Sequence, residues 1–252
     1  GVSGGKDSLV LLSILKKMSE THNFRIIAVT IDEGIPGYRD EALEIVKSFC
    51  SKLDVEFRTY SYKELYDVTL SESLELRDEE KTTSCSICGI FRRRALDHAA
   101  EELGANVIAT GHNLDDSLQT FLINTLSGDS NKIGWMSPGS DSKQIRKIKP
   151  LAEIYESEIV FYAFTNNLPF QTEPCPHMNE GIRTEIREFL NSIEDQHSGI
   201  KNNMYRSIIK ISEVMKDSSF KEKRICTNCG NQCTGKICAV CNMITDLKKE
   251  RS

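Results

Sequence analysis

No apolar run in the 252-residue chain approaches the ~20 residues that a membrane-spanning helix needs. No charged-then-apolar leader ends at a small-residue cleavage site. Membrane insertion and secretion therefore lack support, and a cytoplasmic protein is expected. An excess of positive charge is also missing, because the chain is net -5. That sum hides a division: residues 81–150 are net +2 and residues 218–252 net +4, while the flanking blocks are acidic. Local fields rather than the total steer a polyanion. No internal repeat is present except a recurring pair of cysteines. Nine cysteines, an odd count, fall largely into C-x-x-C pairs at Cys85/Cys88, Cys226/Cys229 and Cys238/Cys241. This placement suits metal ligation in a reducing compartment better than a disulfide framework.

The pattern along the chain alternates strands and helices. Arg25–Ile31, Val55–Tyr60 and Val107–Thr110 are β-branched runs. Apolar residues at helical spacing follow Ser8, span Ala42–Leu53 and Cys85–Leu103, and recur over Ser117–Leu126. Further helices are expected near Ile159–Phe164, Ile182–Ile193 and Met204–Met215. Such alternation predicts an α/β fold with a doubly wound, mostly parallel sheet. Ser127–Ser142 is expected as a loop and Lys216–Phe220 as a linker. From Arg224 onward the chain is too short and too polar to fold without a metal.

Ser3-Gly4-Gly5-Lys6-Asp7-Ser8 precedes the first helix. Glycines let the backbone approach an anion, the helix N-terminus and free N–H groups stabilise its oxygens, and Lys6 adds charge. A Walker A loop needs Ser or Thr after the Lys, and here Asp7 follows. A plain glycine turn with a capping Asp or Ser is the competing reading. A loop of this type should follow a buried strand, yet the chain begins two residues before it. The first strand is therefore expected to lie outside this sequence, in a longer chain.

Cys85 and Cys88 are one helical turn apart, so both thiols can face the same way. Cys175 lies between Pro174 and Pro176. Together the three could form an iron–sulfur or zinc site with one position open. A thioredoxin-type redox pair or buried apolar thiols are the alternatives. Cys50, at helical spacing with Val46, Phe49 and Leu53, reads as a core residue. Cys226-x-x-Cys229, eight residues and Cys238-x-x-Cys241 form a Cys₄ zinc pattern, with Cys233 outside it. Lys221, Lys223, Arg224 and Lys236 make this ribbon basic, which suits an RNA backbone; packing on the core or dimerisation are alternatives. Arg92-Arg93-Arg94 are candidate phosphate contacts or a solvated face, and the stretch Lys143, Arg146, Lys147, Lys149 is a candidate RNA contact or an exposed linker. Asp115-Asp116 before a helix fits a cap or first-turn role.

The S-G-G-K-D-S loop resembles the signature of the PP-loop ATP pyrophosphatases. The likeness continues through Asp32-Glu33-Gly34, Gly37-Tyr38-Arg39-Asp40, Cys85-Ser-Ile-Cys88-Gly89 with Phe91-Arg92-Arg93, and Thr110-Gly111-His112-Asn113-Leu114-Asp115-Asp116. It also includes Glu173-Pro174-Cys175-Pro176 and the terminal cysteine pairs. In this order the motifs resemble the tRNA 2-thiouridine synthetases of the cytoplasmic 2-thiolation type, from Gly1 to about Cys241. Members usually carry an N-terminal zinc ribbon ahead of the first strand, which is not in this sequence.

The resemblance implies an adenine nucleotide α-hydrolase-like domain over residues 1–178, a helical segment over 179–217 and a zinc ribbon over 218–252. It implies ATP held by Ser3, Gly4, Gly5, Lys6, Asp7 and Ser8, the adenine against the backbone of Ile31, and Gly111 beside the nucleotide. Asp116 would act at the reacting centre through Mg²⁺. Cys85, Cys88 and Cys175 would hold a [4Fe–4S] cluster whose fourth iron has no protein ligand. Arg92, one turn beyond Cys88, would face the site. Arg93, Arg94, Lys147, Lys149, Lys223 and Arg224 would meet tRNA, and Cys226, Cys229, Cys238 and Cys241 would bind Zn²⁺. The expected activity is tRNA-uridine 2-sulfurtransfer that forms AMP and pyrophosphate, by a homodimer supplied by sulfide or a thiocarboxylated ubiquitin-like carrier. Phe91-Arg-Arg-x-Ala-Leu-Asp points to uridine 34, with uridine 54 as the alternative and cytidine 32 less favoured. A different PP-loop enzyme would leave the cysteine triad without a role, and a non-catalytic zinc adaptor would leave Ser3–Ser8 without one.

Overall fold

The computed structural model describes residues 1–78, 82–136, 145–177, 182–219 and 224–250. Helix α1 (Lys6–Ser19) is followed by β1 (Ile27–Asp32), α2 (Tyr38–Leu53) and β2 (Glu56–Ser61). Next come α3 (Tyr62–Tyr66), α4 (Leu70–Glu75), α5 (Ser84–Glu102), β3 (Val107–Ala109), α6 (Leu114–Leu126), α7 (Ser130–Gly134) and β4 (Arg146–Ile148). Helices α8 (Glu156–Thr165), α9 (Arg183–Gln196) and α10 (Ile200–Ser219) lead to β5 (Arg224–Ile225), β6 (Gln232–Cys233) and α11 (Ala239–Glu250).

The pairs β1–β2 and β3–β4 are both parallel. Gly1 and Val2 join them: the Gly1 nitrogen donates to the Ala109 carbonyl at 2.9 Å and the Val2 amide to the Val29 carbonyl at 2.8 Å. Thr30 Oγ1 closes the seam by donating to the Val2 carbonyl at 2.7 Å. Parallel pairs require crossovers, supplied between β1 and β2 by α2 and between β3 and β4 by α6 and α7. Neighbouring residues of β1 enter different cores. Ala28 packs with Leu9, Val46, Phe49 and Cys50, whereas Val29 and Ile31 pack with Tyr62, Phe91, Ala95 and Ala99 of the other layer. A strand covered on both faces is the doubly wound arrangement expected from its continuous apolar run.

Several local expectations change. Helix α6 starts at Leu114, because Asn113 caps it: the Asn113 side chain accepts from the Asp116 amide at 2.9 Å. Residues 216–219 continue α10 and are not a linker. Part of the expected loop after Ser127 is helix α7, while residues 137–144 lie outside the described residues. Helices α3 and α4 were not read from the sequence, although Ser61-x-x-Glu64 and Thr69-x-x-Glu72 each close a reciprocal capping box. The stretch Arg146–Ile148, a candidate exposed linker, is a strand paired with β3.

Among the described residues no helix is long and apolar enough to cross a membrane. The terminal ribbon does not stand apart. Cys226, Cys238, Val240, Cys241 and Leu247 share one apolar cluster with Ile87 and Phe91 of α5.

Candidate active site

The site forms where ligands of open parallel sheets bind, beyond the carboxyl ends of the strands. Ser3–Ser8 lead into α1, Ile31 is buried near the end of β1, and Gly111 follows β3. Gly4 has φ +93°, and a Cβ there would lie 2.8 Å from the Ala42 Cβ. A Cβ on Gly111 would lie 2.9 Å from the Asp7 carbonyl carbon and 3.0 Å from the Ser8 nitrogen. Both positions need glycine for close backbone approach. No side chain caps α1 at Gly5, so its first amides keep their capacity for an anion. Ser8 Oγ shapes the loop by accepting from the Ser3 amide at 3.1 Å and donating to the Gly5 carbonyl at 2.8 Å. Lys6 Nζ pairs with Glu156 at 2.7 Å and Asp7 at 3.1 Å. Burial opposes the Lys6 charge, and these two carboxylates more than offset it, raising its pKa.

The loop is anchored from two sides. Asn113 Nδ2 donates to Asp7 Oδ1 at 2.9 Å, and Arg39 donates through an NH group to the Ser3 carbonyl at 2.7 Å. Asp116 meets the cap reading directly: its Oδ2 accepts from the Asn113 amide at 3.2 Å. Its Oδ1 lies 3.9 Å from Arg183, which itself donates to Gln119 at 3.0 Å. Asp115 points the other way, buried against Lys201 and accepting from the Glu156 amide at 2.8 Å. The capping role and a role at the nucleotide are thus compatible in one carboxylate, and the adjacent carboxylate is structural.

The cysteine side rests on α5. Thr83 caps this helix, presenting Cys85 at the surface and Cys88 inside. The Tyr62 hydroxyl donates to the Cys88 carbonyl at 2.8 Å, and Arg92 donates to Cys88 Sγ at 3.0 Å. Burial raises the Cys88 thiol, while Arg92 works against it. Burial also raises Cys175, which feels the charges of Cys85, Arg92 and Glu33. These three thiols therefore share one electrostatic neighbourhood. Three soft thiol donors, with no fourth protein ligand among the described residues, fit an iron–sulfur cluster that keeps one iron for another ligand.

Arg92 joins the Cys88 sulfur to Glu33. The Arg92 side chain is half-exposed; the partial desolvation of the rest opposes its charge, but Glu33 at 2.8 Å, Cys88 and Tyr62 outweigh that cost and keep it protonated. The exposed His112 imidazole, its Nδ1 2.8 Å from the Thr110 hydroxyl, is lowered by partial desolvation and by Lys149. Arg183 and Glu33 were not named as functional by sequence reasoning. Glu33 was signalled by its place after the β1 run, whereas nothing local marked Arg183.

In the ribbon, Cys226, Cys229, Cys238 and Cys241 lie with their sulfurs within 4.8 Å of one another, as tetrahedral zinc requires. The Cys238 amide donates to Cys226 Sγ at 3.2 Å and, as the main cause, holds that thiol near 6. Burial pushes Cys241 up to about 12. Cys233 Sγ instead donates to the Gly235 carbonyl at 3.0 Å. Cys50 is buried in the core, where burial pushes its thiol to about 11.

The candidate RNA contacts are dispersed. Arg93 is exposed, and Arg94 is half-buried near Tyr66. Lys147 pairs with Asp97 at 2.6 Å, and exposed Lys149 acts on His112. Arg224 is exposed on β5, while Lys143, Lys221 and Lys223 lie outside the described residues.

The PP-loop domain family matches residues 1–194. The tRNA 2-thiolation protein NcsA of Haloferax volcanii is 33% identical over 98% of this chain and 81% of its own length. The chain belongs to the tRNA 2-thiolation family of PP-loop proteins. Cytoplasmic tRNA 2-thiolation protein 1 of Lodderomyces elongisporus is 34% identical over 100% of this chain and 74% of its own. The U34-tRNA thiolase NcsA of Methanococcus maripaludis, solved with its [4Fe-4S] cluster, superposes with a TM-score of 0.82 at 30% identity. That match covers 98% of this chain and 79% of the solved one. A 2-thiolation protein needs both an ATP loop and a sulfur-handling centre, and a lysidine or GMP synthetase would leave the second without a role.

Proposed function

We propose that this protein 2-thiolates uridine 34 of tRNA at the expense of ATP, releasing AMP and pyrophosphate. One observation carries the reading: Arg39, which donates to the Ser3 carbonyl of the phosphate loop, and Arg92, which donates to the Cys88 sulfur, both pair with the Glu33 carboxylate. That supports a single centre for nucleotide activation and sulfur handling.

In this reading Ser3–Ser8 and the N-terminus of α1 hold the phosphates, with Lys6 exchanging Glu156 for phosphate oxygens. Gly111 packs against the nucleotide and the Ile31 backbone receives the adenine. Asp116 would hold Mg²⁺, which would offset phosphate charge when bound. The uridine O2 attacks the α-phosphorus, the α–β bond breaks and pyrophosphate leaves. Hydrosulfide then adds to C2, the C2–O bond breaks with AMP as leaving group, and the sulfur loses its proton to give the thiocarbonyl. A [4Fe–4S] cluster held by Cys85, Cys88 and Cys175 would supply that hydrosulfide through an iron without a protein ligand. Arg92 and Arg183 offset the negative charge gathered from phosphate and sulfide. Arg93, Arg94, Lys147, Lys149 and Arg224 contact tRNA phosphates. The protein works in the cytoplasm as a homodimer, with sulfide or a thiocarboxylated ubiquitin-like carrier as sulfur source.

The name of one solved relative, the U34-tRNA thiolase with its [4Fe-4S] cluster, supports position 34 and the cluster. The test is tRNA-dependent AMP formation with and without sulfide, followed by nucleoside mass spectrometry of the product. AMP formation that needs tRNA, with 2-thiouridine mapped to position 34, is the expected result. Sulfur at position 54 would reassign the target, and iron-free protein with full activity would remove the cluster from the mechanism.

A further inference from the structure

The motif Asp32-Glu33-Gly34 has no part in the reaction as described, yet Glu33 occupies a singular place. Its side chain is 3% exposed, and it bridges two guanidinium groups. Glu33 Oε2 lies 3.0 Å from Arg39 Nε, and Oε1 lies 2.8 Å from an Arg92 amino group. Each arginine then reaches one half of the site. Arg39 donates to the carbonyl of Ser3 in the phosphate loop, and Arg92 donates to the sulfur of Cys88.

The carboxylate is fixed by its own backbone. The Leu70 amide donates to the Glu33 carbonyl at 2.7 Å, and Gly34, with φ +71°, packs so tightly on Thr69 that a Cβ would lie 2.7 Å from it. A carboxylate buried this far costs several kcal/mol unless paired. The charges of two arginines offset that cost, the Arg39 contact being ionic without hydrogen-bond alignment. Arg92 is 48% exposed, so without Glu33 its long side chain would gain more from solvent than from a thiol.

We infer that Glu33 is a positioning residue for thiolation, acting through Arg92 on the Cys88 sulfur and through Arg39 on the nucleotide loop. This rests on the cluster reading above. Hydrogen bonds to ligand sulfurs tune a cluster's reduction potential. Glu33 therefore sets that potential through the Arg92 contact while fixing the loop that receives ATP.

The test is a double-variant cycle on the full chain reconstituted anaerobically with iron and sulfide: wild type, Glu33→Gln, Arg92→Gln and the pair. Iron content, the reduction potential by spectroscopic titration, and kcat and KM for ATP are measured. Glu33→Gln is expected to keep its iron, shift the potential and lower kcat about tenfold, the loss of one charge-assisted contact. In the Arg92→Gln background the same change is expected to add no further shift. Glu33→Asp keeps the charge but is too short to hold both arginines, and it serves as the comparison if the Gln chain does not fold. An intermediate shift is expected of it. Equal shifts in both backgrounds, or a potential indifferent to Glu33 in iron-loaded protein, would overturn the inference alone. Wild-type protein that takes up no iron would overturn the cluster reading and this inference together.

Discussion

Gly111 lies so close to the phosphate loop that a Cβ on it would stand 2.9 Å from the Asp7 carbonyl carbon. The obstacle is backbone, which cannot rotate aside as a side chain can. Gly111→Ala is therefore expected to displace the start of α1 at a cost of about 1–3 kcal/mol, typical of overpacking. Binding of ATP, measured by calorimetry, should weaken by about tenfold or more, while zinc content stays at the wild-type level. Unchanged affinity would show that the loop and Gly111 do not act as one unit.

Asp115 and Asp116 are adjacent but are expected to fail differently. Asp115 is 5% exposed and paired with Lys201, itself 6% exposed, so Asp115→Asn leaves a buried ammonium with Asn191 as its remaining strong acceptor. A loss of about 3 kcal/mol is expected in denaturant unfolding. Asp116→Asn keeps an oxygen for the Asn113 amide, so the cap costs at most about 1 kcal/mol. Its tRNA-dependent AMP formation should fall by about a hundredfold or more. If the two variants lose stability and activity in the same proportion, the division of roles is wrong.

Zinc removal is expected to reach the catalytic layer. The Cys226→Ser, Cys229→Ser chain should lose its metal in elemental analysis, because two thiolates cannot complete a tetrahedral site. Val240 and Leu247 pack in the cluster that includes Ile87 and Phe91 of α5. The melting temperature should fall, and protease should cut near α5 sooner than in the wild type. Retained tRNA affinity across a salt series would confine the ribbon to this structural role.

Glu194 gives a pH dependence. Its Oε1 accepts from the Gly199 amide at 2.7 Å and the Tyr155 hydroxyl at 3.0 Å, and its Oε2 from the Lys201 amide at 2.8 Å. Burial opposes its charge, but the Lys201 and Gly199 amides, with Tyr155, outweigh that and hold the carboxyl below its ordinary value. A depressed carboxyl stabilises the fold above the unfolded pKa of about 4.3, and that contribution disappears as pH falls through the folded value. Thermal melts from about pH 5 down to pH 3 should show a shallower acid loss in Glu194→Gln than in the wild type. Parallel curves would contradict the stabilising role of these hydrogen bonds.

By itself the sequence determined the chemistry carried by local spacing: the glycine loop before α1, the cysteine pair one turn apart on α5, the Cys₄ ribbon and the strand–helix alternation. Short-range rules suffice for these, because a turn of helix or a metal tetrahedron is set by a few neighbouring residues. Tertiary structure decided what depends on residues far apart in the chain. It brought Arg183 to Asp116, parked Lys6 on Glu156, divided Asp115 from Asp116, and seated the ribbon on α5. Above all it buried Glu33 between Arg39 and Arg92. A carboxylate after a strand carries no mark of its partners, and only packing, by removing water, makes two distant guanidinium groups the way to satisfy its charge.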